Sequence, residues 1–387
     1  MRANQRGLTL VELLVAMAIG LVVTLVVTSL LISGENHKRV TTSTNDADQT
    51  GNYAFYALDR ALRAAGSGIA ESTSPVDVGV LTCKLNVKGM LPRTGAFPAP
   101  FSTEPAPSNL RVAPLLIAQD QSDNGSDVLV VMGASGDAGG VPRPLNAAGS
   151  ATSLILQNTV GFSPNDLILV SQNGVQDCLL EQVSSISSPT LNLGGTYSFA
   201  GASTTLATLA NGVASTYVTP LGNTQANNVQ FQLFGVGTDN ILYSYDLLQG
   251  TGANTSQAIA DNVITLKALY GVQVSTAPGV LNSWVSPGDT NYDIDTVMTT
   301  EATIEKIIAV HVAIVVRGEY YDKNTANNGN PISPATLTLF NGYTRADGSS
   351  LAVNVPLNTS STGQYYRYRV FEFTVPLRNM LLASGGA

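Results

Sequence analysis

The chain has 387 residues, with 19 Lys and Arg against 27 Asp and Glu and a net charge of −8. This acidic balance argues against binding nucleic acid through its phosphates. Only 12% of the residues are charged, and glycine is abundant. Such a mixture favours an exported β-rich domain over a cytosolic enzyme, and the length allows one or two domains.

The first predicted element is an apolar run over residues 8–32, long enough to cross a hydrocarbon core of about 30 Å as a helix. Its only charged residue is Glu12. An ionised carboxylate at membrane depth costs roughly 2.5–3.5 kcal/mol and needs a cationic partner. Cleavage after Gly7 would create an α-amino group on Leu8, but on the same helix it lies too close to pair well. A neighbouring subunit is therefore the expected partner, which indicates a filament-forming protein.

The stretch Gly7-Leu8-Thr9-Leu10-Val11-Glu12 resembles the processing signature of type IV pilins and of the pseudopilins of type II secretion. The resemblance implies that a prepilin peptidase cleaves between Gly7 and Leu8 and methylates the new amino group of Leu8. It also implies that Glu12 acts between subunits. Phe is the usual first mature residue of this family, and Leu8 is a less typical occupant.

Two simpler interpretations compete with this one. A cleaved secretory signal would have an apolar core of 7–15 residues and a small-residue cleavage site, and the run is too long for that. A plain signal anchor would leave Glu12 unexplained. Arg2 and Arg6 precede the span and predict a cytoplasmic N-terminus and an exported bulk, although Lys38 and Arg39 weaken the asymmetry.

A helical pattern continues beyond the apolar run as far as Ala65. Small and apolar residues recur at three- and four-residue steps: Val40, Thr44, Ala47, Gly51, Phe55, Leu58, Leu62 and Ala65. Asp59 and Arg63 form a predicted i,i+4 pair on the other side, and Gly66 and Gly68 supply a stop. Gly34 and Gly51 predict bending or fraying near the membrane surface.

Beyond residue 68 the pattern predicts β-structure. Nine strands are expected, at residues 127–132, 153–157, 166–170, 228–234, 241–245, 263–272, 307–316, 335–340 and 365–375. The run 307–316 is nearly continuous in apolar residues and predicts a central, buried strand. Residues 94–110, 139–152 and 318–334 are predicted to be irregular loops.

Later segments resemble the PilW family of minor pilins. These are Asn52-Tyr53-Ala54, Leu58 and 61–66 in the helix, then 126–129, 165–170, 270–272, 309–312 with Arg317, and 375–379 in strands. Segments near 187–260 and 318–360 resemble nothing recognisable, and we interpret them as insertions that carry a surface function.

Cys83 and Cys178 are the only cysteines. An isolated pair in an exported protein predicts a structural disulfide. Their spacing excludes a CxxC redox motif, and two Cys with two His make a zinc site a poor interpretation.

Candidates for catalysis or metal binding are weak. The glycine-rich segment 133–140 lacks the ending of a phosphate-binding loop and is interpreted as a turn. A catalytic triad would need His311, which lies inside an apolar strand as a core histidine would. Oxygen-bearing side chains alternate like calcium ligands at Asp289, Asn291, Asp293 and Asp295. A calcium-binding loop also needs Gly at its sixth position and Glu at its twelfth, and this segment has neither. Trp284 is predicted to be a core or interface anchor.

The sequence thus predicts an α+β, pilin-like fold with a long N-terminal helix on a large antiparallel β-rich head. The expected divisions are a leader (1–7), a transmembrane segment (8–32), an amphipathic continuation of the helix (33–66) and a periplasmic or extracellular head (67–387). No enzyme activity and no cofactor is predicted.

The resemblance implies a minor pilin at or near the filament tip that helps to prime pilus assembly. Expected partners are other minor pilins, the major pilin, the prepilin peptidase and the inner-membrane assembly platform. The expected location is the inner membrane and then the pilus. A J-type pseudopilin of type II secretion and a pilus-tip adhesin remain alternatives.

Overall fold

The computed structural model describes residues 9–70, 81–85, 97–102, 110–134, 141–197, 204–226, 228–248, 255–273, 279–322, 331–357 and 362–384. The expected leader, Gly7 and Leu8 lie outside these residues, as does most of the glycine-rich segment 133–140.

One long helix, α1, runs from Leu10 to Ala64. Thr9 caps its first turn, and the helix ends at the predicted glycine-rich stop. It continues through Gly34 and Gly51 without interruption, so the predicted fraying near the membrane surface is not observed. The reason at Gly51 is packing, because this residue is buried against the head.

The head contains nineteen strands within the described residues. They are β1 Lys84–Leu85, β2 Leu110–Arg111, β3 Leu115–Ala118, β4 Val128–Gly133, β5 Arg143–Ser150, β6 Ser153–Leu156, β7 Asp166–Gln172, β8 Leu179–Ser187, β9 Thr190–Leu193, β10 Thr216–Asn223, β11 Gln230–Val236, β12 Leu242–Asp246, β13 Gln257–Ala260, β14 Val263–Gln273, β15 Leu281–Val285, β16 Ile307–Arg317, β17 Thr336–Leu339, β18 Val353–Pro356 and β19 Tyr368–Pro376.

In the part of the head that the structure describes, four short helices connect them: α2 Leu206–Leu209, α3 Ile294–Thr299, α4 Glu301–Ile304 and α5 Arg378–Ser384. A 3₁₀ turn lies at Gly363–Tyr365. The start of α5 corrects one expectation, because Arg378 and Asn379 are helical and not part of the last strand.

All nine predicted strands are present, and the described strands of the head pair antiparallel with their neighbours. The fold is therefore the predicted α+β arrangement of a long helix and a large antiparallel β-rich domain. The predicted loop at 139–152 is wrong, because Arg143–Ser150 forms β5. This strand has few apolar residues and a mostly exposed pattern, so hydrophobic alternation could not identify it.

Two sheets form the body of the head. One has the order β13-β12-β11-β4-β3 and the other has the order β15-β14-β16-β19. The second half of α1 packs across β19 and β16. The main core fills the space between the helix and both sheets, with Leu58, Leu62, Phe231 and Tyr270 fully buried.

A closed six-stranded barrel is formed by the chain between two strands of the first sheet. Its strand order is β10-β5-β6-β9-β8-β7, and it has a core of its own that includes Leu154, Val170, Leu191 and Val218. The strands that precede and follow it, β4 and β11, pair directly with each other. The barrel is thus inserted in the chain between two adjacent strands of one sheet.

Strand β16 faces two cores, which explains its continuous apolar sequence. Val310, Val312 and Ile314 belong to the main core, whereas Ala313 and Val315 belong to a smaller cluster on the other face. The β17–β18 hairpin covers that second cluster. The prediction of a central buried strand is confirmed, since β16 lies between β14 and β19.

Candidate assembly site

The first half of α1 stands free of the head. Every residue from Thr9 to Glu35 is exposed, including sixteen large apolar side chains between Leu10 and Ile32. Within the described residues, α1 is the one helix long and apolar enough to cross a membrane. A surface this apolar is stable only against lipid or other apolar helices, so α1 has the character of an anchor and of an assembly element.

Glu12 lies in the first turn of this free segment. Its Oε2 accepts hydrogen bonds from the backbone nitrogen of Thr9 at 2.9 Å and from Thr9 Oγ1 at 3.0 Å, while the Glu12 nitrogen donates to Thr9 Oγ1 at 3.3 Å. This is a capping box, in which two unsatisfied helix donors are bonded reciprocally.

The capping box was not foreseen, although Thr9-x-x-Glu12 is its sequence signature. It contains no cation, because its donors are a backbone amide and a hydroxyl. Among the described residues, Glu12 thus has hydrogen-bond donors but no ion pair. The box also holds the Glu12 carboxylate at the start of the helix.

The second half of α1 is held by close packing on β19. The predicted small-to-apolar stripe is confirmed in outline, and its buried members are Ser43, Ala47, Gly51, Ala54, Leu58 and Leu62. A Cβ on Gly51 would lie only 2.0 Å from the ring of Phe371. The rings of Phe55 and Phe373 meet edge to face at 4.5 Å. These contacts fix the direction in which the free half leaves the head.

The end of α1 is tied to the C-terminal helix. Asn379 donates from Nδ2 to the carbonyl of Ala65 at 2.8 Å, which satisfies one of the free carbonyls at the helix end. On the outer face, the predicted pair of Asp59 and Arg63 is present at 2.7 Å. Tyr53 and Tyr56 beside it are 57% and 60% exposed.

The predicted disulfide is present in the structure. Cys83 and Cys178 are joined, with their Cα atoms 5.7 Å apart. Beside it, the Lys84 nitrogen donates to the Gln176 carbonyl at 2.7 Å, and the Cys178 nitrogen donates to the Lys84 carbonyl at 3.1 Å. The bridge therefore fastens β1 to the barrel just before β8.

His311 is buried, as a core histidine would be. Its Nδ1 lies 2.8 Å from Thr374 Oγ1, and its ring stacks on Tyr343 at 4.4 Å between centroids. Trp284 meets the same ring edge to face at 5.6 Å, so Trp284 is an anchor of the cluster under the β17–β18 hairpin. His37, the other histidine, lies on the exposed part of α1.

Two of the four alternating oxygen residues at 289–295, Asp289 and Asp293, have structural roles. Both Asp289 carboxylate oxygens bind Arg345, at 2.8–3.1 Å. Asp293 caps α3 by accepting from the Thr296 nitrogen at 3.0 Å. In the described part of the chain, no group of three His, Cys, Asp or Glu residues is arranged to hold a metal.

Comparison with known families agrees with this geometry. Residues 2–28 match the prokaryotic N-terminal methylation motif. Residues 224–379 match the family described as type IV pilus-assembly protein W. The chain thus carries a prepilin-type N-terminal motif together with a region that matches the PilW family. This combination supports a structural, type IV pilus-associated protein with a membrane-anchoring helix.

No curated protein and no solved structure matches the chain. The PilW match begins just before β11 and continues through β19. It therefore includes residues 224–260 and 318–360, which the sequence had suggested were insertions. The barrel lies outside the match, and so do the segments 126–129 and 165–170 that had resembled the family.

Proposed function

We propose that this chain is a PilW-type minor pilin that is cleaved between Gly7 and Leu8, joins a type IV pilus through α1, and helps to prime pilus assembly at or near the tip. The observation that carries the proposal is the free apolar part of α1, Leu10 to Ile32, in which Glu12 is the one charged residue. In this arrangement Glu12 accepts the methylated amino group of Leu8 from a neighbouring subunit.

The proposed layout follows from the same helix. Residues 1–7 are the leader, 8–32 cross the inner membrane, 33–66 join the span to the head, and 67–387 form a head that begins in the periplasm. The prepilin peptidase, the inner-membrane assembly platform, other minor pilins and the major pilin are the partners that this layout needs.

The size of the head supports a tip position. Besides two sheets, the head has a six-stranded barrel with its own core. A subunit that repeats along a shaft must leave room for its neighbours on every side, whereas a subunit at the end is free on one side. Immunogold labelling of the head should mark filament ends, and labelling distributed along the shaft would contradict the tip position.

The assembly role of Glu12 can be tested by substitution. We expect Glu12→Ala to leave the head folded and the chain in the membrane, but to deplete it at least tenfold from sheared pili, because no charge is left for the incoming amino group. Glu35→Ala is the matched control, since Glu35 is also exposed on α1 and pairs with Arg39 of the same helix.

Immunoblots of sheared and cell-bound fractions, normalised to the major pilin, give the comparison. Equal incorporation of the Glu12→Ala variant and the wild type would refute the proposed role of this carboxylate.

A further inference from the structure

Strand β19 lies at one end of the second sheet, and among the described strands nothing pairs with its outer edge. The other three ends of the two sheets are protected. β3 is buried and packs against α3, β13 lies against α1, and β15 is short, with a register shift in its pairing. β19 has nine residues and pairs with β16 without a register shift. An edge this long and regular is a template for another strand.

The backbone groups on this outer edge belong to the even-numbered residues of β19. The Gly318 nitrogen donates to the Arg367 carbonyl, and the Leu377 nitrogen donates to the Ile308 carbonyl, both at 2.8 Å. The register of β16 and β19 is continuous between these two bonds. Since bonding alternates along an antiparallel strand, the odd-numbered residues of β19 bond to β16. The even-numbered residues point their N–H and C=O groups away from the sheet.

These outward groups are accessible to solvent. Val370 is 41% exposed, and Glu372 and Thr374 are exposed residues as well. The Glu372 carboxylate accepts from the Phe340 nitrogen at 2.9 Å, and only 28% of its side chain is exposed. Much of the exposed surface of Glu372 is therefore backbone. Val370, Glu372 and Thr374 together offer three N–H donors and three carbonyl acceptors to a partner.

The direction of β19 relative to the membrane anchor limits the choice of partner. α1 and β19 run the same way, because Asp48 pairs with Arg369 at 3.1 Å and Phe55 meets Phe373 further along both elements. Antiparallel pairing is the commoner kind. Antiparallel pairing of two β19 strands would point the two anchors in opposite directions, which a single membrane excludes. The partner strand is therefore not β19 of a second copy.

Strand β15 of a second copy would run in the permitted direction, since the four strands of this sheet alternate in direction. Such head-to-tail pairing would repeat from copy to copy. It would build a row of identical large heads, which conflicts with the tip position proposed above. A different pilin subunit is the partner that fits.

We propose that the open edge of β19 accepts an extended strand from the head of a different pilin subunit, antiparallel to β19. The added strand continues the sheet β15-β14-β16-β19 and bonds to the backbone of Val370, Glu372 and Thr374. In this mode of recognition, main-chain hydrogen bonds supply the affinity. Because α1 packs on β19, the two heads are joined beside the helix that enters the filament. This inference rests on the pilus assembly proposed above.

Photocross-linking in cells with their own set of pilins identifies the partner. Val370 is replaced by p-benzoylphenylalanine, and adducts in sheared pili are mapped by mass spectrometry. We expect an adduct with the head of another chain that has an N-terminal methylation motif. The same replacement of Val160, which is 75% exposed on the barrel, should give at least fivefold less of this adduct. An adduct with a second copy, an adduct with a protein that is not a pilin, or no adduct would overturn the proposal.

A proline substitution tests the backbone bonds. Val370→Pro removes one outward N–H and no bond to β16, and proline is tolerated on an edge strand in this orientation. We expect its amount in sheared pili, normalised to the major pilin, to fall at least fivefold. Val370→Thr keeps the N–H and should match the wild type. Melting curves of detergent-solubilised protein check the fold, and if Val370→Pro unfolds the head, the cross-linking result decides alone.

Incorporation of the wild type separates this inference from the proposed function. If the wild type enters pili and folded Val370→Pro enters equally, the edge pairing is overturned and the pilus function stands. If the wild type is absent from sheared pili, the pilus function and the edge pairing fail together.

Discussion

His311 is a titratable residue enclosed by aromatic rings and polar groups from several elements. Thr374 and Glu372 face it from β19, Trp284 faces it from β15, and Phe340 and Tyr343 face it from the segment after β17. Burial lowers the pKa of His311, and the nearby Glu372 carboxylate, 3.6 Å from Nε2, offsets only part of that effect. The neutral ring is therefore the form that the folded head prefers.

This preference predicts a pH dependence of stability. In the unfolded chain His311 titrates near its ordinary pKa of about 6.5, above its pKa in the folded head. The contribution of the neutral His311 ring to folding stability is fully present above pH 6.5. It is lost as the pH falls from there to the lowered pKa of His311 in the folded head. We expect the melting temperature of detergent-solubilised protein to fall over that interval, with the β17–β18 hairpin loosening first.

The two histidines of the chain supply the variant and its control. His311→Gln should flatten the pH dependence between 7 and 5, while His37→Gln, on exposed helix, should leave it as in the wild type. Thermal unfolding at several pH values measures both. A wild-type slope retained in His311→Gln would show that other groups cause the acid sensitivity.

At the scale of elements, the joint between α1 and β19 depends on a missing side chain. Gly51→Ala places a Cβ against Phe371, and overpacking of this kind costs about 1–3 kcal/mol. Gly34→Ala has open space around its Cβ and should gain up to about 1 kcal/mol of helix stability. We expect the first variant to lower the unfolding temperature of the head and the second to leave it unchanged. Equal melting curves would mean that Phe371 moves aside without cost.

The disulfide joins the segment before β1 to the segment before β8, which are far apart in sequence. Replacing both Cys83 and Cys178 by Ala removes a constraint on 95 residues, and we expect a loss of a few kcal/mol, with about 4.7 kcal/mol as the limit from chain entropy. Urea unfolding of oxidised, reduced and variant protein measures the loss. Reduction should affect only the wild type. Two freely alkylated thiols in protein from the periplasm would contradict a structural bridge.

Strands with a clear apolar pattern could be predicted from sequence, and those without one could not. Residues 307–316 indicated a buried central strand because both faces of β16 meet a core. β5 was missed because Arg143–Ser150 is polar and largely exposed. The four-residue strands β3 and β9 were also missed, but length alone does not explain this, because β6 and β17 are as short and were predicted.

At the scale of the whole molecule, strand partners were harder to foresee than strands. The pairing of β4 with β11 connects residues on either side of the entire barrel, and no local pattern encodes such a long-range choice. By contrast, the assembly site lies in one continuous segment, so its apolar run and Glu12 could be identified from sequence. The Thr9–Glu12 capping box and the packing of Gly51 on Phe371 needed the structure.

The account as a whole requires that the chain is processed and then built into filaments. Mass spectrometry of the N-terminal peptide, taken from sheared pili, tests both requirements in one measurement. We expect a mature chain that begins at N-methylated Leu8 in the filament fraction. An intact Met1, cleavage at any bond other than Gly7–Leu8, or absence of the chain from the filament fraction would contradict the account.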